Sequence, residues 1–97
     1  MISMSKLTTE QMAVYMNKLP HWKFENNTLT KVFRRNDFKD SISFVLTIAE
    51  LADKLNHHPD LHIQYDRVSV IPTTHDESGV TGKDFLLAQQ IESLIKK

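Results

Sequence analysis

Five histidines stand in the chain, and four of them, His57, His58, His62 and His75, fall within one short stretch of its second half. Imidazole is the side chain that titrates nearest neutral pH, so such a group points to proton transfer or to metal binding. His57 suits the first. It closes a long apolar-periodic segment, where the negative end of a helix dipole favours a cation. Asp53 lies four residues earlier on the same helical face. A carboxylate there could accept Nδ1–H, fix the tautomer and leave Nε2 outward to give or take a proton. The same spacing also occurs as an idle helix-ending pair. His58 lies about 100° further round, and Pro59 pushes it toward extended backbone. His75 begins a loop directly after a strand, a usual place for working residues. His62 alternates with Leu61 and Ile63 and reads as a surface strand histidine. Asp84 reads as a capping residue, as a contact to a ligand near His75, or as both.

Much chemistry is excluded. There is no cysteine, hence no thiolate nucleophile, disulfide or Cys-type zinc site. No phosphate-cradling glycine loop, no His-Glu-x-x-His and no Gly-x-Ser-x-Gly elbow occurs. Lysine plus arginine equals aspartate plus glutamate, 12 each, so no global field draws the chain to nucleic acid or to an acidic membrane. The basic cluster Lys31, Arg34 and Arg35 reads as a solvated strand end. The amino-terminal residues Met1 to Lys6 have no apolar core of a secretory signal, and no run approaches membrane-spanning length. A cytoplasmic address follows as the expectation, and 97 residues fit one domain spanning 1–97.

The elements that must position these groups can be read from periodicity. Thr8 and Gln11 have the form of a capping box; Met12, Tyr15, Met16 and Leu19 follow at helical spacing until Pro20. His21 to Glu25 and Thr28 to Arg34 alternate as strands around Asn26 and Asn27, a pair suited to a tight hairpin. Asn36 or Asp37 caps a long helix running to about Asn56. Phe38, Ile42, Val45, Ala49 and Ala52 form one stripe on it. Phe44, Ile48, Leu51 and Leu55 form a second. That arc is wider than one sheet face needs, so the second stripe is expected to meet another helix, of this chain or of a partner subunit. Leu61 to Tyr65 and Val68 to Thr73 form a second hairpin turning at Asp66 and Arg67, with Pro72 marking an edge or a strand end. Thr81 caps the last helix with Asp84 at its third position, and Phe85, Ala88, Ile91 and Ile95 recur along it. The order α-β-β-α-β-β-α predicts an α+β, two-layer domain: a four-stranded antiparallel sheet with three helices on one face.

Asp53, three residues, His57-His58-Pro59, then Tyr65, His75 and Asp84 resembles the motif of the pterin-4a-carbinolamine dehydratase family, with every spacing matched. The similarity extends to Trp22, Phe33, Phe38 and the helix order. Two departures are Leu61 and His62, where members commonly carry an aromatic, and Pro72 in a strand that is usually proline-free. The resemblance implies dehydration of a 4a-hydroxy-tetrahydropterin (4a-hydroxytetrahydrobiopterin) to the quinonoid dihydropterin, in tetrahydrobiopterin recycling. It implies His57, His58 and His75 as catalytic residues, with Asp53 and Asp84 supporting them or binding substrate, and neither metal nor cofactor. It also implies a homodimer or homotetramer. Animal relatives additionally serve as dimerisation cofactors of a homeodomain transcription factor. The readings that compete with an enzyme are a non-enzymatic interaction module and a histidine metal-binding protein.

Overall fold

The computed structural model describes residues 7–25, 28–74 and 80–95. The elements run α1 (Thr9–Met16), β1 (Lys23–Glu25), β2 (Thr28–Arg34), α2 (Phe38–Leu55), β3 (Asp60–Gln64), β4 (Arg67–Ile71) and α3 (Gly82–Ile95). This is the expected α+β order, and all three strand pairings are antiparallel, in the spatial order β1-β2-β4-β3. No helix among the described residues is long and apolar enough to cross a membrane.

Local signals account for most element ends. Thr8 caps α1 as its sequence form predicts: the Gln11 N–H donates to Thr8 Oγ1 at 3.2 Å and the Thr8 N–H to Gln11 Oε1 at 2.9 Å. The helix stops at Met16, short of Pro20, because Lys18 and Leu19 tighten onto the carbonyls of Tyr15 and Met16 and deliver Leu19 to the core. His21 has φ 77°, a left-handed conformation that a strand does not allow, so β1 begins only at Lys23. Of the two candidate caps for α2, Asp37 is the cap, its Oδ1 accepting the Asp40 N–H at 2.8 Å. The proposed turn at Asn26 and Asn27 lies outside the described residues.

The second hairpin turns one residue earlier than its sequence suggests. Gln64 pairs with Arg67, which puts the turn at Tyr65 and Asp66, and Tyr65 takes the positive φ of 53° that a two-residue hairpin demands. A non-glycine residue there costs on the order of 1–3 kcal/mol unless its surroundings hold it. The Ser41 hydroxyl donates to the Tyr65 carbonyl at 2.7 Å, and the Arg35 N–H donates to the Asp66 carbonyl at 2.6 Å. The turn is thereby pinned to the start of α2.

One sheet face carries the core. Leu29, Phe33, Val68 and Val70 are buried against Phe44, Ile48, Phe85, Leu87 and Ile91. The opposite face keeps Val32, Arg34 and His62 exposed. Pro72 follows β4 directly and is buried, so it marks a strand end and not an edge. On α2 the second stripe meets the sheet and α3 of this chain, the intrachain form of what was expected. Phe44 and Ile48 of the second stripe are buried in the core and Leu51 and Leu55 pack against it. Phe38 and Ile42 of the first stripe stay exposed. The surplus apolar surface therefore lies at the amino-terminal members of the first stripe, since Val45 packs on the core and Ala52 is buried; the second stripe is held within the chain.

Candidate active site

The site is assembled where α2 ends, β3 begins and α3 starts. After Leu55 the chain enters the left-handed region at Asn56, φ 51° and ψ 43°, a conformation asparagine tolerates better than most residues. The His57 N–H donates to the Ala52 carbonyl at 3.1 Å and the Asn56 N–H to the Asp53 carbonyl at 3.2 Å, the hydrogen-bond pair of a Schellman closure. This closure turns His57 off the helical face it would otherwise share with Asp53.

The expected Asp53–His57 pair is consequently absent. Asp53 Oδ1 accepts from His58 Nε2 at 2.9 Å instead, on the surface, with more than half of each side chain exposed. His57 turns inward. Its Nε2 lies 2.6 Å from Asp84 Oδ1; a carboxylate only accepts, so Nε2–H is the donor, and Nδ1 is the remaining nitrogen, the reverse of the orientation expected from an Asp53 partner. About 10 % of the His57 side chain stays accessible, against none of Asp84.

Asp84 is wholly buried and its carboxylate is filled on both oxygens. Oδ2 accepts the Thr81 N–H at 2.9 Å and the Thr74 hydroxyl at 2.8 Å, while Oδ1 takes His57. A buried carboxylate is tolerable only when so satisfied. Of the roles suggested for Asp84 by its position, the capping contact is present, through the Thr81 N–H; its other oxygen holds His57. The Thr81 hydroxyl accepts the N–H of Lys83 at 3.3 Å, so its half of the capping box falls one residue short of Asp84.

Thr74 and Thr81 are the polar groups that sequence reading passed over as site members, their hydroxyls 2.9 Å apart and buried. The available signal was the place of Thr74, next to His75. His75 itself, with Asp76 and Glu77, lies outside the described residues. Of the motif's other members, Tyr65 sits at the far end of β3 and is exposed. Trp22 is buried, its indole N–H donating to Glu92 Oε2 at 2.9 Å. His62 lies on the open sheet face, as its alternation predicted. A cavity of 390 Å³ opens near the other end of α2, between Arg35, Asp40, Phe44 and Ile95, and no residue of this site lines it.

Chemically, the arrangement is a buried imidazole, its Nε2 held by a carboxylate, beside an exposed second imidazole on the next residue. That is equipment for moving protons at a ligand.

The chain is similar to proteins already known. Residues 5–94 match the family model described as pterin 4 alpha carbinolamine dehydratase. A relative from Metallosphaera sedula, provisionally named pterin-4-alpha-carbinolamine dehydratase, is 44% identical over 96% of this chain and 97% of its own. One from Chloroflexus aurantiacus with the same provisional name is 40% identical over 95% of this chain and 99% of its own. A crystal structure from Brucella melitensis, named as a transcriptional coactivator/pterin dehydratase, superposes with a TM-score of 0.86 at 32% identity and covers 93% of this chain and 98% of that one.

Proposed function

The chain belongs to the pterin-4a-carbinolamine dehydratase family, a family of hydro-lyases, and from that premise we propose that it dehydrates a 4a-hydroxy-tetrahydropterin by histidine acid–base catalysis. The reaction needs one proton delivered to the C4a hydroxyl as the C4a–O bond breaks and water leaves. A second proton departs from N5 as the C4a–N5 double bond forms. The product is a quinonoid dihydropterin, and in a cell with an aromatic amino acid hydroxylase this step is the dehydration within tetrahydrobiopterin recycling, a separate two-electron reductant then being needed to restore the tetrahydro form. Both transfers suit positioned imidazoles.

The observation that carries the reading is the His57–Asp84 pair. With Nε2–H committed to the buried carboxylate, the transfer falls to Nδ1 of His57. His75, the residue after Thr74, is the proposed second member of the acid–base pair. His58, exposed and held by Asp53, orients the pterin or steadies charge on it. No metal or redox cofactor enters these steps. The assignment is of one domain over residues 1–97, working in the cytoplasm.

Assembly as a homodimer or homotetramer belongs to the same proposal. It is supported by the exposed apolar stripe of α2, Phe38, Ile42 and Leu46, and by Ile63 and Tyr65 on the β3 hairpin, which the Ser41–Tyr65 bond ties to the start of that helix. Several large apolar side chains left on adjoining elements are characteristic of an interaction surface.

The test of activity is direct. The 4a-hydroxy adduct is generated with a hydroxylase and its dehydration is followed by ultraviolet absorbance. Purified protein at catalytic amounts is expected to accelerate the decay; a rate equal to the spontaneous one would refute the proposal.

A further inference from the structure

We infer that Thr74 and Thr81 are positioning residues that set the tautomer of His57 through Asp84, an inference that rests on the acid–base reading of His57 given above. Each threonine hydroxyl has one hydrogen to donate and two lone pairs. The Thr74 hydrogen goes to Asp84 Oδ2, 2.8 Å away. The 2.9 Å contact between the two hydroxyls must then carry the hydrogen of Thr81 toward Thr74. Thr81 Oγ1 in turn accepts the Lys83 N–H. Every hydrogen in this chain therefore points one way, from the first turn of α3 through Thr81 and Thr74 to the carboxylate.

The Thr81 N–H arrives at the same oxygen. With Oδ2 filled by two donors, Oδ1 is the carboxylate atom turned to His57, and because a carboxylate oxygen has no hydrogen to give, the nitrogen 2.6 Å away is the donor. The relay thus holds Oδ1 toward His57, and that contact keeps a hydrogen on Nε2 and leaves Nδ1 as the nitrogen not engaged by Asp84. It is enclosed: Thr81 and Asp84 have no exposed surface and Thr74 is 4% exposed, so water does not replace a missing hydroxyl without a rearrangement.

The test compares Thr74→Val, which keeps the shape and removes the hydroxyl, with Thr74→Ser, which restores it. Two quantities are read in each: the ¹⁵N resonances of the His57 ring, assigned with His57→Gln, and the kcat and KM of dehydration. Wild-type protein is expected to show one Nε2–H pattern. Thr74→Val should lose that single pattern and fall roughly tenfold or more in kcat, the factor that a hydrogen bond to a charged group supports, with KM little changed. Thr74→Ser should recover both. A folded Thr74→Val with the wild-type ring pattern and kcat would overturn the inference, whatever its melting temperature, because a merely structural hydroxyl moves stability alone. Should Thr74→Val not fold, Thr81→Ala is read the same way, and an unaltered ring pattern there is equally decisive. The nitrogen spectrum needs no substrate, so a wild-type protein without dehydratase activity would remove the proposed function while the positioning claim is still judged.

Discussion

His57 and Asp84 stand 27 residues apart in the chain and 2.6 Å apart in the fold. One is turned inward by the left-handed closure of α2, the other sits in the first turn of α3, and the contact between them joins two helix ends into a site. The carboxylate orients the imidazole, and the imidazole satisfies the carboxylate.

Asp84→Asn tests that pairing. The position facing Thr81 N–H and Thr74 must remain an acceptor, so the new amide nitrogen is directed at His57 Nε2, donor against donor. The ring must then adopt the opposite tautomer or lose the contact. The equivalent inversion in serine-protease triads costs about 10⁴-fold in kcat. We expect a loss of roughly 10²- to 10⁴-fold in dehydration turnover here, together with about 1–3 kcal/mol of stability by urea denaturation. Asp53→Asn, on an exposed pair, should change stability by less than about 1 kcal/mol. Equal losses in the two variants would contradict the difference in burial from which these expectations follow.

How far this pairing was legible in the sequence depended on range. The Thr8–Gln11 box and the capping of α3 by Asp84 are local, and spacing alone declares them. The Asp53–His57 assignment failed on one residue: Asn56 takes left-handed geometry, and the rigid helical register that places i and i+4 together ends there. The long-range partner of His57 leaves no spacing signal, because it is set by how α3 packs beside the end of α2. The two stripes of α2 are both apolar, so composition did not tell which faces the sheet. Phe44 and Ile48 point there, and Phe38 and Ile42 do not.

The start of α2 carries a pH dependence. The Asn36 N–H donating to Asp40 at 2.9 Å is the main cause holding the Asp40 carboxyl below its usual range; desolvation opposes it and Arg35 adds to it. A carboxyl lowered on folding contributes stability above its unfolded value, and that contribution disappears as pH falls through the folded one. The stability advantage of wild type over Asp40→Asn should therefore be present at neutral pH and shrink in acid. Thermal melts across that window provide the check, and an advantage that grew on acidification would contradict the assignment.

The apolar stripe of α2 is tested by charge. Ile42→Glu introduces a carboxylate on the exposed face without entering the core, unlike a change at Leu51, which packs inward. Sedimentation of wild-type protein is expected to give a dimer or tetramer and Ile42→Glu a smaller species of unchanged helix content. An assembly of the same size in the variant would place the subunit contact elsewhere.

The central claim is that imidazoles at positions 57 and 75 move the protons of the dehydration. Turnover of the 4a-hydroxy adduct, followed by ultraviolet absorbance, is to be measured for His57→Ala and His75→Ala against wild type. Each is expected to fall by about 10²- to 10⁴-fold, the usual contribution of a positioned acid or base. Turnover close to wild type in both variants would contradict it.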